Sequence, residues 1–316
     1  MSIELLIKER FSAQSVLQVT DQERDGILKL VLDRSYEEVD QNIQAIKDWL
    51  KTEPHLPDDD DKQFLLTIFV FNKLSIERTK EKLDAIYSIR NIIPELYVNN
   101  EPLHPNMQKV MASNVFLPLP KLNKDFGRIM LMKSFIGSTE LDAVANFQYL
   151  LIVMELRLLY DMTLHDHIIA DFSGTTFSHI TKLLPATSLK CLQYLKNTFP
   201  NSIKSVHCIN VPPFAQNFIN LIKSILIKKL IERIHVHSDL DSLHKHINKE
   251  LLPREYGGNG KSLLEYKEDW HKFMESQNDL VIQRTKIRSN EKLRIGKLTN
   301  FNMFGPEGSF RQINVD

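Results

Sequence analysis

The sequence is poor in cysteine and glycine, with 2 cysteines and 10 glycines among 316 residues. The two cysteines, Cys191 and Cys208, are too few for a disulfide framework or a cysteine-based zinc site. Buried free cysteines behave as small apolar side chains. We therefore predict that both are buried free thiols in a reducing compartment.

Long apolar runs are also missing from the chain. No stretch reaches roughly eighteen uncharged apolar residues, the length typical of a membrane-spanning helix. The nearest stretch, residues 214–231, carries Lys223, Lys228 and Lys229. The N-terminal residues alternate charged and apolar side chains, without the continuous apolar segment of a secretory signal. We expect no spanning helix and a cytoplasmic protein.

An excess of charge of either sign is absent as well. The chain has 40 Lys and Arg against 40 Asp and Glu, and 42% of its residues are apolar. This balance is typical of an ordinary globular protein and predicts no nucleic-acid partner. The length is sufficient for two domains, or for one large domain with a helical appendage.

Carboxylates are missing from one long segment. Residues 172–231 contain no Asp or Glu and seven lysines, which predicts a local positive field. Within it, apolar residues recur at helical spacing. They are Phe214, Phe218, Leu221, Ile222, Ile225, Leu226 and Leu230. The stripe fits either a core helix with a basic outer face or a helix that covers an apolar cavity and swings toward an anionic membrane.

The first ninety or so residues predict helices. Tyr36 to Leu50 has a capped amphipathic period, and Ser75 opens a further helix that ends before Pro94. The acidic run 58–61 precedes an apolar run, so it fits the start of a helix, where carboxylates suit the dipole. A metal site is the alternative function for that run.

After Pro120 the pattern changes to short apolar strands separated by helical segments. This alternation predicts βαβ crossovers and a largely parallel sheet. The strand-like runs are 128–132, 167–171, 205–209 and 233–237. The residues after Gln277 are polar and basic, and we predict an irregular surface strap or a partly mobile tail there.

Three motifs have possible chemical roles. Residues 257–262 resemble the end of a phosphate-binding loop, but Glu255 stands where that loop needs glycine. Ser178 and His179 are neighbours and cannot form a triad by themselves. Four histidines, His235, His237, His244 and His246, fit either a metal site or a mixture of sheet and surface side chains. We predict no catalytic residues, no metal, no cofactor and no enzyme activity.

Several runs carry a resemblance to a known family. Leu252-Pro253-Arg254-Glu255-Tyr256-Gly257-Gly258 is the most specific of them, and upstream segments match as well. These segments are 169–174, Phe199-Pro200, 206–210, 232–237 and, in a helical module, 64–97. Over about residues 30 to 275 the chain resembles the CRAL-TRIO family, which includes cellular retinaldehyde-binding protein, alpha-tocopherol transfer protein and the clavesins. Its ending, 308–311, is similar to tails of invertebrate members.

The resemblance implies an α/β fold in three parts. Residues 1–95 are expected to form an N-terminal helical bundle, and 96–275 a CRAL-TRIO lipid-binding domain with a mixed, mainly parallel sheet. Residues 276–316 would be the C-terminal strap or tail. The helix 214–231 is then expected to be a mobile gate over an apolar cavity. One departure is visible, because Val70-Phe71-Asn72 replaces a basic pair of the helical module.

Family pocket positions carry over onto residues that are almost all apolar. The resemblance assigns ligand binding to Phe177, Leu183, Cys191, Tyr194, Leu195, Phe199, Ile203, Val206, Phe214, Phe218, Leu221, Ile222 and Ile225. In the tocopherol-transfer branch a basic cluster recognises phosphoinositide headgroups. Its positions match Lys204, Lys229 and Arg233, while a fourth falls on Ser202.

The resemblance implies a monomer that binds one hydrophobic small molecule, such as a retinoid or tocopherol. Gated exchange would take place at phosphoinositide-containing membranes, with the protein peripherally at endosomal or other internal membranes. The alternative is a phosphoinositide-sensing adaptor on vesicles that transfers no lipid.

Overall fold

The computed structural model describes residues 15–31, 36–134, 142–183, 203–225 and 231–296. These residues form a mixed α/β fold in which helices precede a five-stranded sheet. The N-terminal helices are α1 (Asp21–Val31), α2 (Tyr36–Thr52), α3 (Lys62–Phe71) and α4 (Ile76–Ile92). After a short 3-10 turn (Pro94–Leu96), α5 spans Pro105–Ser113.

The sheet and its helices follow in alternation. β1 (Asn114–Leu122) and β2 (Gly127–Ser134) precede α6 (Ala143–Tyr160), β3 (His165–Asp171), α7 (Phe177–Leu183), β4 (Ile203–Ile209), α8 (Pro213–Ile225) and β5 (Ile234–Val236). The C-terminal part contains α9 (Leu240–His244), 3-10 turns at Lys249–Leu251 and Arg254–Tyr256, α10 (Leu263–Ser276), α11 (Asn278–Lys286) and a 3-10 turn at Glu291–Leu293.

The N-terminal helices confirm the predicted amphipathic period of α2 and the predicted start of α4 at Ser75. α2 buries Val39, Ile43, Ile46 and Leu50 along one face, as its period predicts. The Ser75 side chain accepts a hydrogen bond from the backbone of Arg78 at the start of α4. These helices pack into one apolar cluster with α3 and with Leu158 and Leu159 of α6.

The acidic run 58–61 serves the fold at two points. Asp61 is the N-cap of α3, since its carboxylate accepts a hydrogen bond from the Phe64 amide at 3.1 Å. Asp59 is buried and accepts from the Tyr87 hydroxyl at 2.8 Å and from Arg284 at 2.7 Å. The helix-start interpretation is therefore confirmed for Asp61, while Asp59 is part of an internal ion pair.

The sheet has the strand order β1-β2-β3-β4-β5. β1 runs antiparallel to β2, and the other neighbours are parallel. Each parallel connection passes to the next strand in the same direction across the sheet. Right-handed crossovers then place α6, α7 and α8 on the same face.

Strand β1 is the element that the sequence pattern did not reveal. It contains Pro118 and Pro120, and proline removes a backbone donor from the strand. The structure accommodates them because β1 lies at the edge of the sheet and its pairing with β2 is irregular between Pro118 and Leu122. The prolines mark an edge strand instead of a boundary before the sheet.

Helix α6 is long and apolar enough to cross a membrane, by length and composition alone. Most of it lies inside the protein, since 67% of the window is buried. Its polar residues are also paired there: Glu155 binds Arg90 of α4, and Arg157 binds Asp161 and Asp166. These contacts are those of a central core helix.

The glycine-rich run 257–262 forms a packed turn. Gly257 has φ of +79°, in the left-handed region that favours glycine. A Cβ at Gly258 would lie 1.8 Å from the Leu252 carbonyl oxygen. Ser262 then caps α10 in a capping box with Glu265. The glycines of this run serve close backbone packing, and the run does not have the form of a phosphate-binding loop.

The C-terminal part is more regular than predicted. Residues 278–286 are helical, so the expectation of an irregular strap was wrong for them. Arg284 of α11 forms a buried pair with Asp59, and Arg294 binds Asp84 of α4 at 2.7 Å. These two ion pairs therefore connect the last described residues of the chain to the N-terminal helices. Residues 297–316 lie outside the described residues.

Candidate functional site: two faces of one sheet

One face of the sheet is apolar along its four parallel strands. Strand pairing aligns its residues in two rows, one from each of β2, β3, β4 and β5. The first row is Met130, Ile168, Val206 and Ile234, and the second is Met132, Ala170, Cys208 and Val236. We call these eight residues the apolar sheet face. Alternation along a strand directs all eight side chains to one side.

The apolar sheet face is incompletely buried. Met132 is 36% exposed and Val236 is 43% exposed, while Ile168, Ala170, Val206 and Ile234 are half-buried. Apolar side chains in the middle of a parallel sheet are ordinarily covered on both faces. Met130 and Cys208 are buried, and burial raises the pKa of the Cys208 thiol to about 11.

Helices α6, α7 and α8 lie over this face. The crossover rule places all three on one side, and an ion pair identifies the side. Arg157 of α6 binds Asp166, whose position in β3 alternates onto the same side as Ile168. At the other end, the Phe177 ring of α7 meets the Phe214 ring of α8 edge to face, with centroids 6.3 Å apart. The Arg157 contact therefore places α6 on the side of the apolar sheet face, and the crossover rule places α7 and α8 on the same side.

A buried network of charges lies at the N-terminal ends of β2 and β3, beside the apolar sheet face. Arg128 and Arg157 both bind Asp161, and Arg157 also binds Asp166 at 2.7 Å. Burial opposes ionisation of Asp161, but the two guanidinium groups outweigh it and lower its pKa. The two arginines and two aspartates compensate one another, so this network presents no net charge to the apolar sheet face.

The predicted ligand-binding residues lie on strand β4, on helices α7 and α8, or outside the described residues. Val206 lies on the apolar sheet face, Ile203 begins β4, and Phe177 and Phe214 are exposed on the helices above. Leu183, Phe218, Leu221, Ile222 and Ile225 lie in α7 and α8, and their side chains are outside the description. Cys191, Tyr194, Leu195 and Phe199 lie outside the described residues. These assignments remain predictions.

Most of the apolar sheet face was missed from the sequence. Ile168, Ala170, Ile234 and Val236 belong to strands that the sequence did predict. Strict alternation along β3 and β5 was the available signal, because it separates these residues from the histidines between them. Cys208 was predicted to be a buried thiol, and the structure confirms this. Cys191 lies outside the described residues.

The basic cluster is described at two of its three positions. Lys204 is exposed on β4. Arg233 is half-buried, and its guanidinium donates a hydrogen bond to the Ile203 carbonyl. Lys229 lies outside the described residues. Lys204 is thus available to an external anion, whereas Arg233 also holds the start of β4.

The opposite face of the sheet, which we call the polar face, carries a row of polar side chains beside apolar core residues and is covered by protein. A hydrogen-bonded row crosses it from Asp125 through His167, Ser205 and His207 to His237, with successive contacts of 3.0, 2.6, 2.8 and 2.9 Å. We call these residues the histidine row. Leu243, Ile247 and Leu252 cover this face, since they share a core cluster with Leu131, Ile169 and Ile209.

The histidine row has few charges at neutral pH. Burial and the neighbouring histidines lower the pKa of His207 to about 3, so its ring is neutral in the folded protein. Burial likewise lowers the pKa of His237. Partial burial opposes ionisation of Asp125, but hydrogen bonds from His165 and His167 hold the pKa of its carboxyl well below the usual range.

The four histidines considered as a metal site are only partly brought together. The rings of His235, His237 and His246 gather with that of His207, with centroids 4.7 to 6.3 Å apart. His244 is not part of this cluster and contacts the Tyr256 carbonyl instead. In the part of the chain that the structure describes, no three ring nitrogens of the cluster converge within 4.8 Å. The geometry therefore fits a stacked, hydrogen-bonded cluster.

The family's sequence signature connects the polar face to its cover. The Tyr256 hydroxyl donates a hydrogen bond to Asp171 Oδ2 at 2.8 Å. Asp171 also accepts from Lys133 and Asn210 at 2.8 Å and from the Ser173 amide at 2.9 Å. Burial opposes ionisation, but these four donors lower the pKa of Asp171. The acid of β3 and the tyrosine of the later motif thus form one structural unit.

The candidate pair Ser178 and His179 has a local role. His179 is buried, and its Nδ1 accepts a hydrogen bond from the Thr176 amide at 3.0 Å. This contact organises the start of α7.

Comparisons with known proteins agree with this architecture. The CRAL/TRIO domain model matches residues 128–258, and the model of a Pinta-like UBA domain matches residues 35–107. Alpha-tocopherol transfer protein-like from Homo sapiens is 28% identical over 228 residues, which are 70% of this chain and 66% of that protein. Clavesin-1 from Xenopus laevis is 25% identical over 240 residues, 73% of this chain and 71% of that protein.

The match spans just under two thirds of the first curated relatives. Among solved structures, the crystal structure of Sfh5 aligns with a TM-score of 0.47 at 11% identity, over 79% of this chain and 92% of that one. The family match at residues 128–258 covers the four parallel strands, the crossover helices and the signature that joins Asp171 to Tyr256. The chain therefore contains a CRAL/TRIO domain at residues 128–258, preceded by a helical segment that is similar to a Pinta-like UBA domain.

Proposed function

We propose that this chain binds one hydrophobic small molecule against the apolar sheet face and transfers it between membranes. The observation that carries the proposal is the two aligned rows of apolar side chains, which run across four strands and are incompletely buried. The name of the human relative, a tocopherol transfer protein-like chain, supports a lipid of retinoid or tocopherol size.

Burial of such a ligand is strongly favourable. Covering on the order of 400 Å² of apolar ligand surface, at about 25 cal/mol per Å², contributes roughly 10 kcal/mol before ordering costs. Loss of the lipid to water is then slow, and release requires opening against a membrane. The protein acts by sequestration and exchange and leaves the ligand chemically unchanged.

Helix α8 is the proposed gate. Its buried residues Ala215 and Ile219 are one turn apart and hold it to the protein, while Phe214 is 37% exposed. Movement of α8 would uncover the apolar sheet face beneath it. At a membrane, the apolar stripe of α8 and the ligand would both contact hydrocarbon.

Phosphoinositide recognition by Lys204, Lys229 and Arg233 is the proposed membrane signal. Each basic residue near an anionic leaflet contributes about 1 kcal/mol, which recruits and orients the protein without expelling the ligand. We propose a monomer in the cytoplasm that visits endosomal or other internal membranes.

Ligand binding is tested on the full chain by native mass spectrometry, with extraction of the co-purified lipid. We expect one unaltered lipid per protein. Ala170→Phe places a ring in the middle of the apolar sheet face and should reduce lipid occupancy at least about tenfold, because it fills the space of the ligand. Leu264→Trp is the control, since Leu264 is 62% exposed on α10. Equal occupancy in both variants would remove the apolar sheet face from the binding site.

Membrane docking is tested by transfer to liposomes. Lys204→Ala should slow transfer to phosphoinositide liposomes about threefold to fivefold at low salt, and leave ligand affinity and transfer to neutral liposomes unchanged. Lys249→Ala is the matched control, because Lys249 is exposed in the segment that covers the polar face. Liposome binding without any transfer by the parent chain would favour the adaptor function instead.

A further inference from the structure

Three potential metal ligands meet at the N-terminal edge of the polar face. Asp125 lies in the turn between β1 and β2, and His165 and His167 lie two residues apart on β3, on the same face. Asp125 Oδ2 is 2.8 Å from His165 Nε2 and 3.0 Å from His167 Nε2. The three ligand atoms all lie within 4.8 Å of one another.

The backbone around this cluster leaves space for both imidazoles. Gly127 pairs with His165 in the sheet. A Cβ at Gly127 would lie 2.6 Å from the His167 ring and 2.8 Å from the His165 ring. The Gly127 amide also donates a hydrogen bond to Asp125 Oδ1 at 3.2 Å. Glycine at this position therefore allows the three groups to converge, and its amide directs the carboxylate toward them.

A second layer of contacts fixes the orientation of His167. Its Nδ1 is 2.6 Å from Ser205 Oγ, so its Nε2 points toward Asp125. A histidine that binds a metal through one nitrogen ordinarily uses the other in such a contact. Ser205 Oγ is also 2.8 Å from His207 Nε2, and a hydroxyl can reverse the direction in which it donates. The row therefore accommodates either neutral tautomer of His167.

We propose that Asp125, His165 and His167 bind a divalent first-row transition ion, with Zn²⁺ as the representative, and that water completes its coordination. Two imidazole nitrogens and one carboxylate oxygen are a donor set that such ions prefer. Tetrahedral ligands about 2.0 Å from Zn²⁺ lie about 3.3 Å apart. The two contacts of Asp125 Oδ2, at 2.8 and 3.0 Å, therefore need to lengthen by only a few tenths of an ångström.

Access and placement also fit an ion site. The Asp125 side chain is 38% exposed, whereas that of His167 is 7% exposed. An ion can therefore reach the carboxylate from solvent and be held by a buried imidazole. The site lies on the face opposite the proposed lipid site, so ion binding would fasten the turn before β2 to β3 and take no part in lipid contact.

The test is Zn²⁺ binding by the full chain after treatment with a chelator, measured by calorimetry and by the visible spectrum of the Co²⁺ form. We expect one ion per chain, with Mg²⁺ failing to compete because it prefers oxygen ligands. Asp125→Asn and His165→Gln should each weaken Zn²⁺ binding at least about tenfold. His246→Gln is the control, because it changes the other histidine cluster and should leave Zn²⁺ affinity unchanged.

Thermal melting without metal verifies that each variant is folded. If either ligand variant does not fold, Ser205→Ala takes its place, and we expect Zn²⁺ affinity to fall about tenfold because His167 loses its orienting contact. The proposal is overturned if the parent and the folded variants bind Zn²⁺ equally. It is also overturned if His246→Gln removes the binding, which would assign the ion to the four-histidine cluster.

Discussion

The two faces of the sheet use the same strands for opposite purposes. On β3, Ile168 and Ala170 point to the apolar sheet face, while His165, His167 and Asp171 point to the polar face. The polar groups have partners and are covered by the C-terminal segment. On the apolar sheet face, Met132 and Val236 are exposed and four further residues are only half-buried.

At His167, His207 and Asp171, which are buried, and at Met132 and Val236, which are exposed, the usual relation between polarity and burial is reversed. Burying polar groups costs free energy unless they form hydrogen bonds, and the histidine row and the donors around Asp171 provide them. Leaving apolar groups exposed is also unfavourable, and a bound lipid would remove that cost. The polar face therefore has the features of a structural support, and the apolar face has those of a site completed by a ligand. Four substitutions test this division, beginning with the cover of the polar face.

The largest effect is expected from Gly258→Ala. Its Cβ would lie 1.8 Å from the Leu252 carbonyl oxygen, a backbone atom that no side-chain rotation can move away. We expect a loss of about 3 kcal/mol in the free energy of unfolding, measured by chemical denaturation. A stability within about 0.5 kcal/mol of the parent would show that this turn is not rigid and that the cover of the polar face is loosely held.

Acidification should destabilise the polar face through His207. Its pKa is about 3 in the folded protein and 6.5 ordinarily, so only the unfolded chain takes up this proton between those values. The contribution of neutral His207 to the free energy of unfolding is fully present above pH 6.5 and is lost as the pH falls toward 3. The slope approaches about 1.4 kcal/mol per pH unit for one proton.

The measurement is the free energy of unfolding of the parent and of His207→Gln between pH 8 and 4.5. This range lies above the ordinary pKa of the carboxylates, so protonation of Asp171 and Asp125 does not interfere. In His207→Gln, the free energy of unfolding should depend less steeply on pH, because most of the slope that one proton gives is removed. Parallel curves for the two proteins would mean that His207 is protonated in the folded state as well.

Removal of one hydroxyl tests the link between Asp171 and the family signature. Tyr256→Phe deletes one of the four donors to the carboxylate, and hydrogen bonds to charged groups contribute about 1.5 to 3 kcal/mol. We expect a loss of about 1.5 kcal/mol, because three donors remain. Tyr266→Phe is the matched control, since its hydroxyl has a 3.4 Å contact with the exposed Lys261 amide, and it should cost less than about 0.5 kcal/mol. Equal losses of stability would show that the hydrogen bond from Tyr256 to Asp171 contributes no more than an exposed contact.

The sequence allowed prediction of the N-terminal helices, four of the five strands and the resemblance to the CRAL-TRIO family, because each depends on local periodicity or on a short motif. Helix α11 was not predicted, because its sequence is polar and basic. Strand β1 was missed because Pro118 and Pro120 interrupt its pattern, and edge position is a property of the whole sheet. The histidine row could not be foreseen for a similar reason. His167 and His207 meet through Ser205 only in the register that the sheet adopts, with an irregularity between Asp166 and His167.

The smallest effect on stability and the clearest effect on function are expected at Val206. Val206→Thr changes one methyl group of the apolar sheet face into a hydroxyl of similar size, at a half-buried position. Stability of the ligand-free protein should fall by less than about 1 kcal/mol, since the hydroxyl retains contact with water there. Lipid affinity should fall about tenfold, because a bound ligand would bury that hydroxyl without a partner.

Ile209→Thr is the comparison on the opposite face, where the residue is 2% exposed and belongs to the covered core. That variant should lose more stability than Val206→Thr, and its lipid affinity should be retained at temperatures where it is folded. If Val206→Thr lost as much stability as Ile209→Thr with no change in lipid affinity, the apolar sheet face would be ordinary core, and the contrast between the two faces would not be functional.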